Sequence, residues 1–222
     1  MEPEIGQVRK RLKTPRAAAI AGIAFSLLLI ASLSIIRLSI PANLNDPGEW
    51  AANPAQAHRI ILALNMVPFA GIAFLWFIGV VRDLIGERED RFFSTVFLGS
   101  GLLYVAMLFA AAAVAGGILA SISAESGIVR TSGIFAFGRA VTYSILNVFA
   151  MKMAGVFMIS TSTIVLKTER IPRWLAIIGY VFAAILLITI TYVKWIDMIF
   201  PLWVLMLSLY ILIENYRHGN QA

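Results

Sequence analysis

The chain has 222 residues, of which 60% are hydrophobic and 14% charged, far fewer charges than the quarter usual in soluble domains, so water is excluded as its main solvent. It contains no cysteine, which excludes disulfides, thiolate metal sites, iron–sulfur ligation and cysteine nucleophiles. The net charge of +6 does not point to nucleic acid, because the basic residues gather at span ends and in the amino-terminal tail, where membrane orientation places them.

Apolar stretches of roughly 20 residues, each able to cross a hydrocarbon core of about 30 Å as a helix, recur along the chain. In order they run from Ala17 to Ile36, Ile60 to Val81, Phe93 to Leu119, Ala140 to Leu166, Trp174 to Val193, and Ile196 to Ile213. The fold class this predicts is all-α: a polytopic membrane protein built as a bundle of six transmembrane helices over residues 17–213. A basic tail over residues 1–16 precedes it and a short tail over residues 214–222 follows. The first apolar run is longer than a signal-peptide core and more spans follow, so it reads as a retained signal anchor. The third and fourth spans exceed the minimum length and should tilt or project beyond the bilayer.

Of the connections, PANLNDPGEWAANPAQAH, residues 41–58, is rich in proline and asparagine and reads as irregular. In SISAESGIVRTSGIFAFGR, residues 121–139, the GIFAF portion is apolar but too short to span, so an interfacial or re-entrant path is open to it. The charged loop RDLIGEREDR reads as a solvated cap in which Glu87 and Arg91 pair at i, i+4 if helical. Counting lysine and arginine by side gives orientation. Arg9, Lys10, Arg11, Lys13, Arg16, Arg82, Arg88, Arg91, Lys167, Arg170, Arg173 and Arg217 fall on one side; Arg37, Arg59, Arg130, Arg139 and Lys194 fall on the other. The richer side is cytoplasmic by the positive-inside rule, with both termini on it. Trp50, Tyr192 and Trp195 then anchor the outer boundary, and Trp76, Trp174 and Tyr216 the inner one. A compact chain with short loops fits a bacterial inner membrane.

The stretches VRDLIGEREDRFFSTVFLGSGLLYVAMLFAAAAVAG, residues 81–116, and TERIPRWLAIIGY, residues 168–180, resemble those of uncharacterised bacterial six-span integral membrane proteins. The resemblance implies the same six-span architecture and supplies no catalytic or binding residue.

Chemistry is constrained by what is missing. His58 and His218 are the only histidines and fall outside the spans, so no haem pair, zinc cluster or intramembrane histidine base is expected. No aspartate or glutamate is placed deep in a span, which weighs against cation coupling. GSG at residues 99–101 and AAAAVAGG at residues 110–117 read as close-packing surfaces. No nucleophile, base and metal constellation can be named, which weighs against a membrane enzyme; no cofactor and no metal is implied.

What remains is Lys152, alone in NVFAMKMAGVF. Counted from Ala140 at 1.5 Å per residue it lies about 18 Å into its span, near the midplane, where an insertion cost of roughly 2.5–3.5 kcal/mol directs it towards protein, water or a ligand. Tyr143, Asn147, Ala150, Ala154 and Thr161 form a polar and small stripe on the opposite face, so the fourth helix should have partners on both sides. Asn65 and Asn147 lie at similar depth in the outer half, and Pro68 frees a carbonyl near Asn65. One reading joins Asn65, Asn147, Tyr143 and Lys152 in a ligand-binding pocket open to the outside. The other has each amide bonded to a neighbouring helix and the lysine satisfied by backbone carbonyls.

Two function classes follow: a channel or transporter for a small, anionic solute using Lys152, or a non-catalytic accessory or scaffold protein that binds membrane lipids, another membrane protein or a second copy of itself. A water-accessible cavity reaching Lys152 favours the first, and a lipid-filled groove with a dry lysine the second.

Overall fold

The computed structural model describes residues 2–40, 50, 53–85, 91–124, 133–167, 172–189 and 195–219. All elements among them are helical. Helix α1 is Glu2–Ser39, α2 is Pro54–Ile85 and α3 is Arg91–Ala124. Helix α4 is assembled from Gly133–Ser144, a π-helical turn Ile145–Ala150, and Met151–Lys167. Helix α5 is Arg173–Ile188, and α6 begins with a 3₁₀ turn, Ile196–Met198, and continues as Ile199–Gly219.

Five segments are long and apolar enough to cross a membrane, namely Arg16–Ser39, Pro54–Arg82, Phe92–Ile122, Gly133–Leu166 and Ile196–Arg217, while Arg173–Ile188 is apolar but shorter. The chain is thus an all-helical, multi-pass integral membrane protein. Three spans differ from the sequence expectation. The second starts at Pro54 and not at Ile60, so residues 54–58 of the stretch expected to be irregular are helical. The fourth helix starts at Gly133, so GIFAF forms its opening turns, and the fifth stops at Ile188, where Thr189 turns extended at ψ 116°. The start of α2 follows from local chemistry. Asn53 accepts the Ala55 N–H on its side-chain oxygen at 3.0 Å, and Pro54 occupies the first helical position, where its missing N–H costs nothing. The rest of the loop before Asn53, except Trp50, and the Glu87–Arg91 pairing lie outside the described residues.

Chain neighbours pack side by side, α1 on α2, α2 on α3, α3 on α4 and α4 on α5, while α6 returns to α1. Helix α4 thus has α3 on one face and α5 on the other, as its two-sided pattern requires. Arg16 lies over the Tyr216 ring at 5.0 Å, so the start of α1 and the end of α6 meet at one end of the bundle, called here the tail end.

In hydrocarbon, water supplies no hydrophobic drive between helices, and packing must hold them. The centre is a fully buried aromatic cluster of Phe25, Phe74, Phe77, Phe97, Tyr104, Phe157 and Phe200. Its closest ring pairs are Phe25–Phe74 at 4.5 Å, Tyr104–Phe200 at 4.6 Å and Phe97–Phe157 at 4.7 Å. Each such pair adds about 0.5–1.5 kcal/mol beyond area burial. Ser32 of α1 donates to the Ala63 carbonyl of α2 at 2.7 Å, and the hydroxyls of Thr163 on α4 and Tyr180 on α5 meet at 2.7 Å.

Candidate functional site

Lys152 begins the last segment of α4 and reaches across to the end of α5. Its ammonium donates to the carbonyls of Leu186 at 3.0 Å, Leu187 at 2.6 Å and Thr189 at 2.8 Å. An ammonium has three protons, and here each has an acceptor. The acceptors are the carbonyls that a helix leaves unpaired at its C-terminus, where a positive charge is also favoured by the helix dipole. Lys152 is therefore an interhelical cap. Gly155, almost one turn further on, lets the two helices close, since a Cβ there would stand 2.9 Å from Leu187 Cγ and 3.3 Å from the Ala183 carbonyl oxygen.

A second polar centre was not anticipated from the sequence. Arg37 lies in the last turn of α1 and Asp197 in the first turn of α6, at the end of the bundle away from the tails. Arg37 donates to Asp197 Oδ2 through Nη2 at 2.8 Å and Nε at 3.2 Å, and through Nη2 to Asn147 Oδ1 at 3.3 Å. The Arg37 side chain is 19% exposed and that of Asp197 0%. Asp197 is the second residue of the sixth span, at its mouth and not deep within it, yet its side chain is fully enclosed. Its charge is tolerated because the guanidinium balances it. Both dipoles also help, since an anion starts α6 and a cation ends α1.

Asn147 belongs to the π-helical turn, a wider coil often found where a helix must make room for a site. Its Nδ2 donates to the Tyr143 carbonyl at 3.2 Å. Trp195, just before α6, is the only non-glycine residue with positive φ among those described, at 68°; this left-handed backbone carries strain for a bulky side chain. The sequence did hold a signal for the ion pair. With an even number of spans, the end of the first and the start of the last lie at the same end, and they carry opposite charges.

Asn65 stands elsewhere. With Pro68 it lines a groove of about 690 Å³ between α2 and α3, whose other walls include Ile61, Leu64, Phe109, Ala112, Ala113, Gly116 and Ala120. The Phe109 ring can lie against α2 because Gly71 lacks the Cβ that would collide with it. Asn65 is exposed on the outside of the bundle. The four residues singled out by sequence thus fall into three settings: Asn147 and Tyr143 in the π-turn region beside Arg37, Lys152 at the α5 end, and Asn65 in the α2–α3 groove.

No protein-family model, curated protein or solved structure matches this chain.

Proposed function

We propose that the protein is a non-catalytic scaffold of the bacterial inner membrane that docks a transmembrane helix of a partner membrane protein in the groove between α2 and α3. The observation that carries this reading is Asn65, an amide that faces out of the bundle at span depth and makes no hydrogen bond among the described residues. In hydrocarbon an unpaired amide is costly, and a polar group on a neighbouring helix relieves it. Pro68 withholds the N–H that the Leu64 carbonyl would otherwise receive, adding an acceptor to the same wall.

The groove suits a helix in shape. Ala112, Gly116 and Ala120 recur every fourth residue along α3, the spacing that brings helix backbones close. The wall from Phe109 to Ala120 extends about 16 Å at 1.5 Å per residue, or three turns. The competing anion-transport reading needed a cation free to meet a solute, and the Lys152 protons are spent on α5. The same reading places both termini in the cytoplasm, supported by Arg16, Arg82, Arg173 and Arg217 standing at the tail ends of their helices.

The test is a photocrosslinker, benzoylphenylalanine, at Ala113 in native membranes. A discrete protein adduct that disappears when Gly116→Leu fills the groove is expected. Adducts to lipid alone would overturn the helix-docking reading in favour of lipid binding, and an adduct of twice the chain mass would identify the partner as a second copy.

A further inference from the structure

Arg37 spends both of its contacts to Asp197 on one oxygen, Oδ2. The other, Oδ1, is buried and has no hydrogen-bond partner among the described residues. A carboxylate accepts on both oxygens, and an enclosed one left bare forfeits its hydration without replacement. A second orphan lies close by. The Tyr104 hydroxyl is also buried without a partner, and its ring packs at 4.6 Å on Phe200, one turn beyond Asp197 on the same face of α6. Tyr104 is thereby held against the turn of α6 that carries Asp197, yet neither orphan atom has a hydrogen bond among the described residues.

We propose that Asp197 Oδ1 and Tyr104 Oη together hold bound water, making the ion pair the head of a hydrated polar site enclosed by α1, α3, α4 and α6. Water matches both orphans, because it donates to a carboxylate while accepting from or donating to a phenol. A neutral guest fits better than a metal ion, since Arg37 already balances the carboxylate and a further cation would bring uncompensated charge into the bundle. Entry is from the end away from the tails, where Arg37 is 19% exposed, and the π-helical turn at Asn147 widens the wall there.

Radiolytic hydroxyl-radical footprinting in ¹⁸O-labelled water, read by mass spectrometry on the full chain in detergent, tests this directly. Tyr104, Phe25 and Phe74 are all 0% exposed, and radicals born from bound water label neighbours that bulk solvent does not reach. Tyr104 is expected to be labelled at least several-fold faster than Phe25 and Phe74. Equal protection of all three would overturn the proposal. As a second measurement, Tyr104→Phe should lower Tm by a few degrees, because it strips the water of a partner; an unchanged or raised Tm would mean that the hydroxyl has none. A Tm that rises in sodium or potassium chloride over N-methylglucamine chloride at equal ionic strength would overturn the neutral guest and make the occupant a metal cation.

Discussion

Arg37 and Asp197, 160 positions apart in sequence, meet at 2.8 Å and fasten the end of α1 to the beginning of α6. The two partners are unequal in burial, 19% against 0% exposed, and so the consequences of removing them are unequal. Arg37→Met leaves an enclosed carboxylate without its counter-charge and should cost about 3–5 kcal/mol. Asp197→Asn leaves a guanidinium that can turn towards the surface, so the loss should be smaller. Arg37→Met combined with Asp197→Leu should recover much of the first loss, because no buried charge remains. Thermal melts of the four proteins in one detergent check the order; equal losses from the two single variants would contradict it.

Lys152 should behave as a cap. In Lys152→Met the carbonyls of Leu186, Leu187 and Thr189 lose their donor, and the last turn of α5 should fray. Hydrogen exchange at the amides of Leu187 to Thr189 should quicken at least tenfold, while that of the α1–α2 pair stays unchanged. Lys152→Arg should protect only in part, since a flat guanidinium cannot serve three carbonyls that converge on one ammonium. Unaltered exchange at the α5 end in Lys152→Met would refute the capping role.

How far the sequence reveals this arrangement depends on what each feature is made of. Spans are written in side chains, and α1, α2, α3 and α6 are legible for that reason. The end of α5 is not, because residues 189–193 continue the apolar, β-branched run in the sequence, and the carbonyls at the stop are satisfied by Lys152 on another element. Lys152 itself is visible as an anomaly, but its acceptors are backbone carbonyls, which no residue name marks. Its place along the fourth span changes little although the helix begins at Gly133 and not at Ala140, because Lys152 is near the middle of Gly133–Leu166 as well. Asn65 and Asn147 show the limit of matching by depth: counting along the sequence puts them at similar depth, yet one faces outward from α2 and the other meets Arg37.

Gly155 sets how closely α5 can approach α4. A Cβ at that position would press on Leu187 and, more seriously, on the Ala183 backbone oxygen at 3.3 Å, which cannot rotate away. Gly155→Ala should therefore cost about 1–3 kcal/mol, as overpacking does, despite alanine's better helix propensity. By pushing the helices apart it should also lengthen the Lys152 contacts and reproduce part of the fraying expected in Lys152→Met. A melt combined with exchange at the α5 end separates this from a local clash, which would lower Tm and leave exchange at Leu187 to Thr189 unchanged.

Orientation can be tested cleanly because the chain has no cysteine, so a single introduced thiol is the only reactive one. Asn53, exposed at the start of α2, lies towards the end opposite the tails, whereas Arg217, exposed near the end of α6, belongs to the tail end that also holds Arg16 and Tyr216. The positive-inside rule makes the tail end cytoplasmic. On intact cells an impermeant maleimide should label Asn53→Cys and spare Arg217→Cys, and both should react once the membrane is opened with detergent. The proposed topology fails if Arg217→Cys is labelled and Asn53→Cys is protected on intact cells. That result would also place the Arg37–Asp197 site, with the hydrated pocket proposed beneath it, at the cytoplasmic end.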